Sequence, residues 1–101
     1  MERSAGAGQA FTILEPNEGA AVAARPLLIR WTLVAGAVDY DVRIHDTSGS
    51  IVWQTHTSAT SADATNSRVK AGQSYYASVV ARLQDGKTVA SSFAAFNIVR
   101  P

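Results

Sequence analysis

The residue types best suited to chemistry gather between Asp39 and Ser58. That stretch holds both histidines of the chain, His45 and His56, with Asp39, Asp41, Asp46 and Ser58 around them. Asp41, His56 and Ser58 could form a nucleophile, its base and the group that orients the base. Asp39, Asp41, His45, Asp46 and His56 include enough nitrogen and carboxylate ligands for a zinc ion, provided they converge on one point. Trp53, Tyr76 and Phe93 are the aromatic side chains that could stack on a sugar ring if they face solvent. There is no cysteine, which excludes thiolate catalysis, disulfides and cysteine-ligated metals. No Asp-x-Asp-x-Asp-Gly calcium loop, phosphate-cradling glycine cluster or Asn-x-Ser/Thr sequon occurs.

Whether those residues meet depends on the elements that carry them. Asp39-Tyr40-Asp41-Val42-Arg43-Ile44-His45-Asp46 alternates polar and apolar residues without a break, the mark of a half-buried strand. Thr47-Ser48-Gly49-Ser50 turns the chain, and Ile51-Val52-Trp53-Gln54-Thr55 returns as its partner. A hairpin centred on Ser48-Gly49, with a two- or four-residue loop, pairs Ile44 with Trp53 and Val42 with Thr55, and sets Asp41 opposite His56. A three- or five-residue loop would not give that pairing. Trp53 then shares the inner face with Ile44 and Tyr40, and is expected in the core. His45 lies four residues along from the position facing His56. At ~3.3 Å per residue the two histidines are roughly 13 Å apart, too far to share an ion. The expected reading of Asp41 and His56 is a surface cross-strand pair, so no catalytic residue, metal site or cofactor is assigned.

The rest of the chain has the same period. Phe11 to Leu14 is a short first strand, closed by Pro16-Asn17-Glu18-Gly19. Leu27, Ile29, Trp31 and Leu33 share one face of a second. Thr57 to Arg68 is polar, and reads as a loop or a weak edge strand. Tyr75, Ala77, Val79 and Ala81 alternate with Tyr76, Ser78, Val80 and Arg82 in a central strand. Gln84-Asp85-Gly86-Lys87 suits a type I′ hairpin turn. A last strand spans about Thr88 to Val99, and the phase change between Phe93 and Phe96 implies a bulge near Ala94-Ala95. Six or seven strands with turn signals every ~8–12 residues, and no helix of useful length, indicate an all-β sandwich or barrel. The expected core is Ile29, Trp31, Tyr40, Val42, Ile44, Tyr75, Val79 and Ile98.

Composition bounds the function. The 101 residues are one domain's worth, 47% of them hydrophobic, with nine basic and eight acidic side chains and a net charge of +1. So even a balance gives no electrostatic case for nucleic acid or acidic membranes. No apolar run reaches the ~18 residues of a membrane helix. Residues 1–10 have no apolar signal-peptide core and read as a flexible lead-in to a domain at 11–100. Such a start is compatible with an excised domain or with a native cytoplasmic one.

Trp31, the Tyr40-x-Val42-x-Ile44 strand, and the corner from Val69 through Gly72 into Tyr75-x-Ala77-x-Val79-x-Ala81 together resemble the fibronectin type III superfamily of immunoglobulin-like sandwiches. The longer pattern running from Trp31 through Gly36, Tyr40, Asp46 and Gly49 to Trp53, with Phe96-Asn97-Ile98 at the end, is similar to bacterial sandwich modules of envelope and multidomain proteins. The resemblance implies a seven-strand antiparallel Greek-key sandwich. Tyr75 would be its corner tyrosine, tied to a backbone acceptor in the Val69–Gln73 turn. The corner proline of the family is replaced by Ala71, and the integrin-binding Arg-Gly-Asp loop is missing. The implied role is a non-catalytic structural, spacer or protein-interaction module of a larger extracytoplasmic bacterial protein, with a protein partner or neighbouring domains. A carbohydrate-binding accessory domain using an exposed aromatic is the alternative. Tyr76, Val80, Asp85, Gly86 and Lys87 are the candidate contact residues.

Overall fold

Strict alternation along residues 37–46 produces the strand at the centre of the molecule. In the computed structural model, which describes residues 11–23, 26–65 and 67–99, this strand is β4 (Ala37–Asp46). Tyr40, Val42 and Ile44 are fully buried, while the side chains between them lie on the outer face. Before it come β1 (Ile13–Glu15), β2 (Ala20–Ala23) and β3 (Leu28–Trp31). After it come β5 (Ile51–Thr57), β6 (Ser61–Asp63), β7 (Ser74–Leu83), β8 (Thr88–Ala90) and β9 (Ala94–Val99). One sheet has the order β1-β3-β6; the other runs β2-β9-β7-β4-β5, with β8 also on β7. The two inner faces pack around Trp31, Tyr40, Phe96, Ile29, Ile44, Ile98 and their neighbours.

The architecture is the expected all-β sandwich, and each of the eight expected core residues is buried. The count of strands differs because Ala20–Ala23, beyond the turn that closes the first strand, forms a strand that was not expected, and because the last strand is broken in two. β1 and β2 belong to opposite sheets, and β8 and β9 pair with successive parts of β7. One pair is parallel, β2 on β9, where an antiparallel sandwich was expected throughout. The break in the last strand falls at Ser91–Phe93, ahead of the expected Ala94-Ala95. There the Ser91 amide donates to the Val79 carbonyl (2.8 Å) and its hydroxyl accepts from the Val79 amide (3.0 Å). This anchor resets the phase, so that Ala94, Phe96 and Ile98 point inward and Phe93 is left outside. Leu33, expected on the inner face, is exposed because β3 stops at Trp31. The polar stretch from Thr57 supplies β6 at a sheet edge. Residues 1–10, the expected lead-in, lie outside the described residues.

The β4–β5 hairpin has the expected register, reached by a different route. Ile44 faces Trp53, Val42 faces Thr55 and Asp41 faces His56. The loop, however, takes three residues: the Asp46 amide donates to the Ser50 carbonyl (2.9 Å), and the Gly49 amide to the Asp46 carbonyl (3.0 Å). Gly49 has φ +91°, which a side chain would strain. A bulge between Ile44 and His45 on the ladder absorbs one residue of β5 and restores the pairing. The β7–β8 turn repeats this loop, with Leu83 closing on Lys87 (2.8 Å) and Gly86 at φ +88°. It is a three-residue loop, whereas the Asp-Gly pair alone implied a two-residue type I′ turn.

Two tyrosines lock loops to the sandwich. The Tyr75 hydroxyl accepts from the Lys70 amide at 2.9 Å. Tyr75 is therefore the corner tyrosine, although its oxygen receives a bond from the turn where it was expected to donate one. The Tyr40 hydroxyl accepts in the same way from the Val34 amide at 3.2 Å. Its ring meets Trp31 edge-on at 5.4 Å.

Candidate functional site

The period of two puts Asp39, Asp41, Arg43 and His45 of β4 on the outer face of the larger sheet. Pairing with β5 and β7 brings His56, Tyr76, Ser78, Val80 and Arg82 beside them. This face carries two clusters, one toward each end of β4.

The first is ionic. His56 Nδ1 lies 2.6 Å from Asp41 Oδ1, and its Nε2 lies 3.0 Å from Asp39 Oδ2. On the other side of Asp39, Arg82 Nε donates to Oδ1 at 3.0 Å and its terminal nitrogen to Oδ2. The Asp41 and Asp39 carboxylates raise the His56 pKa, because they favour the charged ring. The Arg82 guanidinium, with His56 adding to it, holds the Asp39 carboxyl below its ordinary range. With both ring nitrogens facing carboxylates, His56 has no nitrogen free to take a proton from Ser58. Asp41 and His56 thus meet as expected, but as part of a charge network and not as a catalytic pair. Asp39 and Arg82 join them, which the hairpin register alone did not reveal. His45 is separate from this cluster, and no group of three His, Cys, Asp or Glu is arranged for a metal among the described residues.

The second cluster is aromatic. His45 and Tyr76 are cross-strand partners on β4 and β7. Phe93, turned outward by the break before β9, stands almost perpendicular to both. Its ring makes an angle of 83° with His45 at 5.9 Å and of 75° with Tyr76 at 6.3 Å. Phe93 is 62% exposed and Tyr76 39%. The three rings border an open recess of about 440 Å³, closed at one side by Asp46, Thr47 and Gly49 of the hairpin tip. The Asp46 Oδ1 accepts from the Ser48 amide (2.9 Å), the Ser48 hydroxyl (2.6 Å) and the Ser50 amide (3.0 Å). These bonds, the Ser48 hydroxyl foremost, lower the Asp46 pKa.

The other aromatic candidate, Trp53, is half-buried and packs against the core. The five candidate contact residues do not come together. Tyr76 borders the recess, and Val80 sits half-buried between Asp41 and Ala90. Asp85, Gly86 and Lys87 are exposed in the turn at the far end of β7. The stretch from Tyr76 to Arg82 alone spans roughly 20 Å at ~3.3 Å per residue. His45 and Phe93 belong with Tyr76, a grouping that rests on the β4–β7 pairing and on the Ser91 anchor.

No protein-family model matches the chain, and neither does any curated protein. Solved structures do. A structure of the fibronectin(III)-like modules of CbhA from Clostridium thermocellum superposes with a TM-score of 0.62 at 20% identity, covering 88% of this chain and 94% of that one. CopC from Methylosinus trichosporium OB3b gives 0.63 at 20% identity, with 89% and 94% covered. An Fn3-like protein from Clostridium thermocellum gives 0.60 at 19% identity, with 91% of each chain covered. The fold is fibronectin type III-like over nearly the whole described length.

Proposed function

We propose that this chain is a non-catalytic accessory module of a larger extracytoplasmic bacterial protein, acting as a spacer and a protein-interaction surface. The observation that carries the reading is the outer face of the larger sheet, where an ionic network and an aromatic recess lie on the same sheet, toward opposite ends of β4. A surface that mixes fixed charge with exposed aromatics suits recognition of a partner or a neighbouring domain. The likeness to fibronectin(III)-like modules supports the same role, and the resemblance to bacterial envelope modules supports the location. Among the described residues no helix is long and apolar enough to cross a membrane.

A carbohydrate-binding role would use Tyr76 and Phe93, the two aromatics that face solvent. Their rings stand at 75° and so share no flat platform for a sugar ring, which favours the interaction reading. The test is fractionation of native cells with an antibody raised against this chain. The expected antigen is a polypeptide heavier than 10.7 kDa in the extracytoplasmic fraction. A free 10.7 kDa cytoplasmic protein would overturn the proposal.

A further inference from the structure

We propose that the recess bordered by His45, Tyr76 and Phe93 is an aromatic cage for an alkylated ammonium group. Two features of the recess select that chemistry. Its walls are aromatic rings set near right angles, so that more than one negative π-face can border a single cation. The remaining lining is mostly carbon, and the His45 nitrogens are near protein oxygens, Nδ1 3.4 Å from the Gly49 carbonyl and Nε2 3.5 Å from the Ser78 hydroxyl.

A charged ligand without N–H groups fits such a lining. A quaternary or fully methylated ammonium carries charge on a surface of methyl groups and asks for no hydrogen bonds. A simple ammonium needs acceptors for its protons, and a sugar needs partners for several hydroxyls; the recess is poor in both. The space of about 440 Å³ exceeds a trimethylammonium head and leaves room for the chain that bears it.

The test is a titration of the full chain, followed by amide chemical shifts, with choline, with its neutral isostere 3,3-dimethylbutan-1-ol, and with glucose. Choline should move the signals of His45, Tyr76 and Phe93 and bind about tenfold more tightly than the isostere, the equivalent of about 1.4 kcal/mol. Phe93→Ala and Tyr76→Ala should each weaken choline about fivefold or more. Both side chains are exposed, so both variants should keep the dispersed spectrum of the folded domain. Equal binding of choline and the isostere would overturn the proposal in favour of a plain apolar recess. Shifts produced by glucose alone would overturn it in favour of a sugar site. No shift with choline at about 50 mM, well above a millimolar dissociation constant, would show that there is no site.

Discussion

Replacing Tyr75 with phenylalanine deletes one oxygen and leaves the packing of a buried ring intact. The ring is only 4% exposed and lies 6.0 Å from Phe96. What is lost is the bond from the Lys70 amide at 2.9 Å. A neutral hydrogen bond contributes about 0.5–1.5 kcal/mol net, and a donor left without a partner in a buried place costs about 1–3 kcal/mol. Lys70 sits at an exposed corner, so its amide regains part of its hydration. The expected loss is therefore ~1–2 kcal/mol, or a fall of roughly 5–15 °C in Tm for a domain of this size. Urea denaturation should show a midpoint lower by about 1 M with an unchanged slope. Tyr76→Phe is the control, since its ring is on the outer face, and it should stay within ~0.5 kcal/mol. If Tyr76→Phe were the costly variant and Tyr75→Phe neutral, the inward phase of β7 and the sandwich register built on it would be wrong.

Four further outcomes are expected. Trp31→Ala should cost ~3–5 kcal/mol, enough to unfold much of the population at 37 °C, and a thermal melt lowered by only a degree or two would contradict its place in the core. Tyr40→Phe should also destabilise, by less than Tyr75→Phe because its bond to Val34 is longer at 3.2 Å; equilibrium unfolding ranks the two. Gly86→Ala should cost ~1–2 kcal/mol by forcing a side chain into φ +88°, a penalty that calorimetry would register and Gly86→Asn would reduce. The stability difference between the native chain and His56→Gln should shrink as pH rises. The carboxylates raise the folded pKa of His56 above its unfolded value near ~6.5, so its contribution is complete below that pH and is lost as pH climbs through the folded value. Urea melts at pH 6 and pH 8 test this, and a difference that grows with pH would refute the ion network.

Legibility in the sequence followed the range of the interactions. Alternation is a local signal, so the inward positions of β4 and β7 could be assigned from residue type alone. The facing of Asp41 and His56 needed only a hairpin, the shortest-range pairing there is. Arg82 is forty-three residues from Asp39, and nothing local brings them together. Phe93 was visible as an aromatic, but its outward turn depends on Ser91 seizing both backbone groups of Val79, a contact across strands. Loop lengths were the weakest point, because a three-residue turn plus a bulge yields the same register as a two-residue turn without one. The likeness in shape at about 20% identity has the same origin: inward apolar positions and corner tyrosines define a sandwich, whereas outer faces are free to differ.

The parallel pairing of β2 with β9 governs how this domain would bear load. Ala20 to Ala23 lies alongside Phe96 to Val99 in one direction, and the Gly19 amide adds a bond to the Ala95 carbonyl at 2.7 Å. Tension applied through the chain ahead of β2 and beyond β9 pulls these two strands lengthwise past each other. Their ladder bonds are then strained together in shear, not opened one after another as in a peeled hairpin. On its far side β9 is held by Gly72 and Gln73 of the tyrosine corner, through bonds of 2.7 and 2.9 Å to Ile98. A strand held on both sides in this way would have to break its bonds to β2 and to the tyrosine corner together before it slid free.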